Sequence, residues 1–270
     1  MGHTGGFENR LEIFLNKCAP IQINFLGYPG TSGTNKIDYI IADKTVIEEE
    51  DKKFYSEKVI FLPNSYQPSE KNRLLSDTKF TKKELNLPED KFIFCCFNSN
   101  QKILKTTFNL WVEILKRIPQ SVLWLLSKNN NFIKNLKDEF QKKNIESERI
   151  VFGELMPVEK HLVRIKFADL FLDTFPYNAH TTCSDSIWAG VPVLTKKGKS
   201  FHSRVASSLL KTSGLEELIT YTDKEYIDKA VKIVNDTKYL KNLKERLNKS
   251  RDTNPLFNSE LFTRKLEEAY

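Results

Sequence analysis

The stretch FIFCCFNSNQKILKTTFNLWVEILKRIPQSVLWLLS (92–127) decides the fold class. FIFCCFN (92–98) is an apolar run that ends in polar residues, the pattern of a strand buried on both faces and followed by a loop. Phe108, Trp111, Val112 and Leu115 then recur at helical spacing, and Pro119 breaks the helix. SVLWLLS (121–127) is a second buried strand. A parallel strand–helix–strand unit needs a crossover of this length.

The same unit repeats outward. An amphipathic, Lys-rich helix is predicted over Phe132–Lys143, a strand at RIVFGEL (149–155), and a helix over Val158–Lys166. A fourth strand, DLFLDTFP (169–176), stops at Pro176 and is followed by a helix over Thr181–Ala189. VPVLTKKG (191–198) is a fifth strand, and helices are predicted over Ser203–Ser213, Asp223–Asp236, 238–249 and Glu260–Tyr270. This alternation predicts a doubly wound parallel sheet with helices on both faces, a complete Rossmann-like lobe over 91–270. Ligands bind such sheets at the carboxyl ends of the strands. The informative residues are therefore Asn98–Lys102, Glu154–His161 and Tyr177–Asp185.

Residues 1–65 differ. Strands are predicted at IQINFLGY (21–28), IDYIIAD (37–43) and KVIFLP (58–63), with a polar connector over 66–90. Three strands with little helix read as the C-terminal part of a second, truncated Rossmann-like lobe.

Composition narrows the class. Nineteen Phe, nine Tyr and three Trp supply a large core, and 40% hydrophobic against 29% charged residues excludes a disordered chain. The net charge of +7 is spread over Lys-rich surfaces rather than gathered in a stripe, so no nucleic-acid partner is expected. Apolar runs are strand-length, far short of the roughly 18 residues of a membrane span, so no membrane partner is expected. MGHTGGFENR has no apolar signal region, and the expected location is cytoplasmic. Cys18, Cys95, Cys96 and Cys183 form no C-x-x-C pair, which argues against a structural zinc or a disulfide framework.

YNAHTTCSD (177–185) is the strongest local signal. It joins a strand to a helix N-terminus, where open N–H groups and the helix dipole favour an anion. His180, Thr181 and Thr182 suit a diphosphate there, and Asp185 lies one turn on; a Thr-capped helix with a satisfied histidine is the plainer alternative. PGTSG (29–33) and GHTGG (2–6) read either as sugar- or phosphate-contacting loops or as simple turns. Lys102 can neutralise phosphate or stand as an exposed lysine; His161 and Arg164 share a helical face that can meet a nucleobase or solvent.

Together GHTGG (2–6), APIQINFLGYPGTSG (19–33), DYIIAD (38–43), YSEKVIFLP (55–63), LWVEILKRIPQSVLWLL (110–126), HLVRIKFADLFLDT (161–174), HTTCSDSIWAGVPVLT (180–195), SRVASSLL (203–210) and PLFN (255–258) carry a resemblance. In order and over nearly the whole chain, they resemble the catalytic region of the protein O-GlcNAc transferases, including the Spindly-type proteins. The resemblance implies a GT-B glycosyltransferase that moves a sugar, usually N-acetylglucosamine, from a UDP-sugar to Ser or Thr hydroxyls of a protein, with inversion and without a metal or other cofactor. It implies Lys102 on the β-phosphate as the catalytic residue. His180, Thr181 and Thr182 would hold the diphosphate, Asp185 the ribose, and His161 and Arg164 the uracil, with Thr4, Gly30 and Thr31 near the donor. The absence of an Asp-x-Asp motif agrees with metal independence. The repeats that recruit proteins in this family are absent here, so an upstream tetratricopeptide region is an expected partner segment. Two rivals stand beside this reading: an inactive nucleotide-sugar-binding module, and a transferase acting on a small molecule or glycan.

Overall fold

A computed structural model describes residues 10–270 of the chain. A short helix α1 (Leu11–Phe14) precedes a parallel three-stranded sheet of β1 (Ile23–Asn24), β2 (Tyr39–Asp43) and β3 (Lys58–Leu62), in that order. β1 is much shorter than the apolar run predicts. Its ladder is closed at the start by Gln22 N–H donating to Asp38 Oδ2 at 2.7 Å, and the chain turns at Leu26, whose φ is 68°.

The second sheet holds six parallel strands: β4 (Phe92–Cys96), β5 (Ser121–Leu126), β6 (Ile150–Gly153), β7 (Leu170–Leu172), β8 (Val193–Lys196) and β9 (Ile219–Thr220). Helices α2 (Lys105–Arg117), α3 (Asn130–Gln141), α4 (Val158–Ile165), α5 (Thr181–Trp188) and α6 (Val205–Thr212) alternate with these strands, and α7 (Asp223–Asn235), α8 (Thr237–Ser250) and α9 (Ser259–Glu267) follow them. The spatial order is β6-β5-β4-β7-β8-β9. Sequence order reverses between β4 and β7, which makes their carboxyl ends the switch point where a crevice opens. β9 escapes the sequence reading because two paired residues are too few to show a period.

Burial explains the pattern. All six residues of β5 are buried, including Trp124, and α2 sets Leu110, Trp111, Ile114 and Leu115 against the sheet. One contiguous hydrophobic cluster runs from Ile40 and Ala42 of β2, and Val46 just beyond it, through the second sheet. The first segment is thus less exposed than its few helices suggest. Asp43 is 1% exposed and accepts from Thr45 and Val46 N–H, from Tyr66 N–H at 3.0 Å and from Ser208 Oγ at 2.7 Å. Glu48 pairs with Lys197 and Arg204, and Arg204 also with Asp51. The chain end returns as well: Phe262 of α9 stacks on Phe25 with ring centroids 6.3 Å apart.

At the switch point one carboxylate ties the strand ends together. Asp173 follows β7 directly and is buried. Its Oδ1 accepts from Thr174 N–H (2.8 Å), Ala179 N–H (2.7 Å) and Asn98 Nδ2 (3.2 Å), and its Oδ2 from Thr195 Oγ1 (2.6 Å). This knot ends β7 at Leu172, four residues short of the Pro176 at which the apolar pattern stops, because Thr174 N–H leaves the ladder for Asp173. Phe175 N–H likewise goes to Thr107 Oγ1 at 3.0 Å. Among the described residues no helix is long and apolar enough to cross a membrane.

Burial lifts the Asp173 carboxyl from the ordinary 3.8 to about 6, against the opposing bonds from Thr195 and Ala179. The folded chain then holds this proton more tightly than the unfolded chain. The contribution is full below the unfolded value, near pH 4, and is lost as pH rises through about 6. Asp173→Asn keeps the three donors on Oδ1 and can donate its amide to Thr195, yet does not titrate. Urea unfolding of the variant should show a stability profile flatter by on the order of 2–3 kcal/mol between those limits. An unchanged slope would remove Asp173 as its source.

Candidate nucleotide-binding site

The crevice is built by three loops that the knot holds together. After β4, Asn98 donates to Thr174 Oγ1 at 2.7 Å and accepts from Thr182 Oγ1. The chain then makes a tight helical turn over Asn100–Lys102. Lys102 points back across the crevice: its Nζ donates to the Asn178 carbonyl at 2.8 Å and lies 4.1 Å from the Tyr177 ring centroid. Burial pulls the Lys102 pKa down, and the Asp173 charge opposes that.

His180 stands immediately before α5 in a non-helical conformation (φ −108°, ψ −95°), and no side chain caps the helix. Cys183 and Ser184 N–H donate to the His180 carbonyl, and the Thr181 and Thr182 N–H groups find no acceptor among the described residues, so these two are open in the way that favours an anion. The Tyr177 ring stacks with two imidazoles, His180 at 5.1 Å and His202 at 5.0 Å. The His180 Nε2 is buried and has no hydrogen-bond partner in the unliganded chain. Burial, and then the Lys102 charge, pull its pKa down to about 3, so the ring is neutral near pH 7. An uncapped helix, a lysine ammonium and an unpaired imidazole nitrogen converge here. Thr182 lies on the Asn98 side of the same helix start, while Thr181 is exposed beside it.

Along the crevice, α4 carries His161 and Arg164. Arg164 is 1% exposed, donates from Nε to His161 Nδ1 at 2.9 Å and from Nη1 to the Glu154 carbonyl at 2.5 Å. Its guanidinium lies 5.9 Å from the Trp124 ring. Arg164 therefore lies beneath this corner and orients what a ligand would meet. With Nδ1 accepting, neutral His161 carries its proton on Nε2. Burial and the Arg164 charge pull the His161 pKa down to about 4, and its ring meets the Phe97 ring at 5.1 Å, near perpendicular.

Asp185, one turn into α5, accepts from Arg73 of the connector, and both side chains are 12% exposed. The PGTSG loop belongs to the first sheet. Gly30 offers its carbonyl to Asn24 Nδ2, Thr31 Oγ1 donates to Glu57 Oε2 at 2.7 Å, and Ser32 N–H to Glu57 Oε1 at 2.6 Å. Burial works to raise the Glu57 pKa, but the bonds from Ser32 and Thr31 outweigh it and hold the carboxyl below its ordinary value. No contact among the described residues joins Gly30 or Thr31 to the Lys102 cluster. Thr4 lies outside the described residues. The structure thus gathers Lys102, His180, Thr182 and Asp185 along one crevice, with His161 and Arg164 on the neighbouring helix. Sequence reasoning did not single out Asp173, Thr174, His202 or Arg73, and it gave Tyr177 no role within its segment. Asp173 and Thr174 end a strand whose neighbour is β4, so only the strand order marks them.

Comparisons with known proteins bear on the family and the fold. Residues 1–80 and 73–266 match the family described as glycosyl transferase family 41. The chain is 36% identical over 275 residues to the probable UDP-N-acetylglucosamine–peptide N-acetylglucosaminyltransferase SEC of Arabidopsis thaliana, covering 100% of this chain and 28% of that protein. It is 30% identical over 279 residues to the probable transferase SPINDLY of Solanum lycopersicum, again spanning only 29% of that relative. Among solved structures, a Thermobaculum terrenum O-GlcNAc transferase mutant superposes with a TM-score of 0.84 at 28% identity, over 96% of this chain and 49% of that one. The glycosyltransferase WaaG superposes at a TM-score of 0.57 and 12% identity over 96% of this chain and 79% of its own, which speaks for the fold alone. The α/β architecture is of the GT-B type, and the chain belongs to glycosyl transferase family 41.

Proposed function

We propose that this chain binds UDP-N-acetylglucosamine in the β4–β7 crevice and transfers the sugar, with inversion, to Ser or Thr hydroxyls of a protein. One observation carries the reading: Lys102 Nζ and the unpaired, buried His180 Nε2 converge on the uncapped N-terminus of α5. Family membership and the printed activities of the relatives supply the donor and the acceptor.

As the bond from sugar to UDP breaks, negative charge grows on the β-phosphate. Lys102 and the open N–H groups of α5 stand where that charge develops, and a buried site strengthens them. Their charge role gives the leaving group a partner without a divalent metal. His180 is neutral, so it contributes a hydrogen bond and not a second cation. His161 Nε2–H can donate to a carbonyl of the base, held in its tautomer by Arg164. Asp185 accepts from the ribose.

Calorimetric titration should show UDP binding and far weaker ADP binding; equal binding of the two would remove His161 and Arg164 from the base site. Lys102→Ala should lower kcat by about 100-fold to 1000-fold, or about 2.7–4 kcal/mol, with a smaller effect on UDP affinity. An unchanged kcat would remove Lys102 from the leaving-group role. Turnover should persist in EDTA, and its loss would return the leaving-group charge to a metal. UDP binding without any sugar transfer would favour a nucleotide-sugar-binding module instead.

A further inference from the structure

The connector between the two sheets is tied into the nucleotide crevice by a nearly dry ion pair. Arg73 donates from Nη1 to Asp185 Oδ1, 112 residues away in sequence. Its guanidinium lies 5.6 Å from the Trp188 ring centroid and 5.9 Å from that of Phe257, and its Nε donates to the Glu70 carbonyl at 3.0 Å. Trp188 Nε1 in turn donates to the Lys71 carbonyl at 3.3 Å. Ser76 N–H donates to the Glu159 carbonyl at 3.3 Å, in the first turn of α4, the helix that carries His161 and Arg164. The strap over 70–76 therefore touches both helices that carry the site.

Such a pair has a cost. A carboxylate and a guanidinium are both withdrawn from water, and a lone aspartate at this place would be penalised. Burial does act to raise the Asp185 pKa, while Arg73 lowers it. Arginine is suited to the task, since its planar fork fixes one carboxylate oxygen and stacks on aromatic faces. Asp185 Oδ1 is thereby occupied, while Oδ2 accepts no hydrogen bond among the described residues.

We propose that Arg73 is a positioning residue of the nucleotide site: it pins Asp185 through Oδ1 and so presents Oδ2 to a ribose hydroxyl. The inference rests on the reading of the crevice as a UDP site, and it makes the connector part of donor recognition. Arg73 itself touches no ligand. Its effect should appear only in contacts that pass through Asp185, and not in those made by the base or the diphosphate.

The test compares UDP with 2′,3′-dideoxy-UDP by calorimetry on the full chain. The native chain should prefer UDP by about tenfold or more, the worth of a hydrogen bond to a charged group. Asp185→Asn should lose most of that preference. Arg73→Met should also lose it, to below about twofold, while binding dideoxy-UDP as the native chain does, and Arg73→Lys should recover part of it. If Asp185→Asn abolishes the preference and Arg73→Met retains it, Asp185 reads the ribose unaided and the inference fails while the UDP reading stands. Equal weakening of both nucleotides in Arg73→Met would mark a merely structural role and overturn it. A native chain that binds both nucleotides equally, or an Asp185→Asn variant with native preference, would overturn the ribose assignment beneath it. Should Arg73→Met not fold, Arg73→Lys decides alone: its preference must fall between those of the native chain and Asp185→Asn, and native behaviour overturns the inference.

Discussion

A single buried carboxylate, Asp173, sets the path of the chain across the switch point. It accepts from two backbone N–H groups, a carboxamide and a hydroxyl, drawn from the segments that end β4, β7 and β8 and lead into α5. Without those bonds Thr174 N–H and Ala179 N–H would be buried donors with no acceptor, each costing about 1–3 kcal/mol. With them, the Phe175–His180 loop is held at both ends, Asn178 presents its carbonyl to Lys102, and α5 starts where His180 faces the crevice. The site is thus a consequence of how the strand ends are tied, and its polar side chains inherit their positions from that tie.

The same burial decides which groups carry charge. It holds His161 and His180 neutral, with pKa values pulled down to about 4 and about 3, so neither adds positive charge near pH 7. Lys102 is buried too, and its pKa is lowered, but the nearby Asp173 works in the other direction. A lysine starts about four pH units above a histidine, so burial removes its charge far less readily. The crevice therefore combines a point charge with neutral donors and helix N–H groups. That arrangement can follow charge as it develops on a leaving diphosphate without binding every anion equally tightly.

Much of this was legible in the sequence, and the parts that were not share a cause. The five apolar strand runs announce themselves because a strand buried on both faces has few polar positions, and α2 does so through Phe108, Trp111, Val112 and Leu115, of which all but Phe108 are buried. The HTT segment is legible because a strand, a turn and a helix start lie together within YNAHTTCSD. Asp173 looks like the polar end of a strand, and only its neighbours in space reveal four hydrogen bonds. Arg73 lies in a polar connector with no periodicity, where any of several cations reads alike. β9 is two residues long, and its existence depends on β8 already being in place. Arg164 illustrates a subtler limit: helical spacing puts it on the face of His161, but only packing against Trp124 turns it inward to act through His161 and Glu154.

The two sheets are bound to one another by the residues that flank the crevice. Asp43 ends β2 and accepts from Tyr66 of the connector and Ser208 of α6, and Glu48 bridges Lys197 and Arg204 in the loop that leaves β8. Tyr66 meets Phe201 edge-on at 4.8 Å, one residue from His202, whose ring supports Tyr177. Lys102 rests on Tyr177 in turn. These are packed, largely dry contacts, and such contacts resist small displacements because each neighbour fills the space the next would need. A shift of the first sheet relative to the second would therefore be felt at Tyr177 and at the ammonium it carries. The position of the charge that meets the diphosphate depends on how the sheets are docked, and not only on the loop in which Lys102 lies.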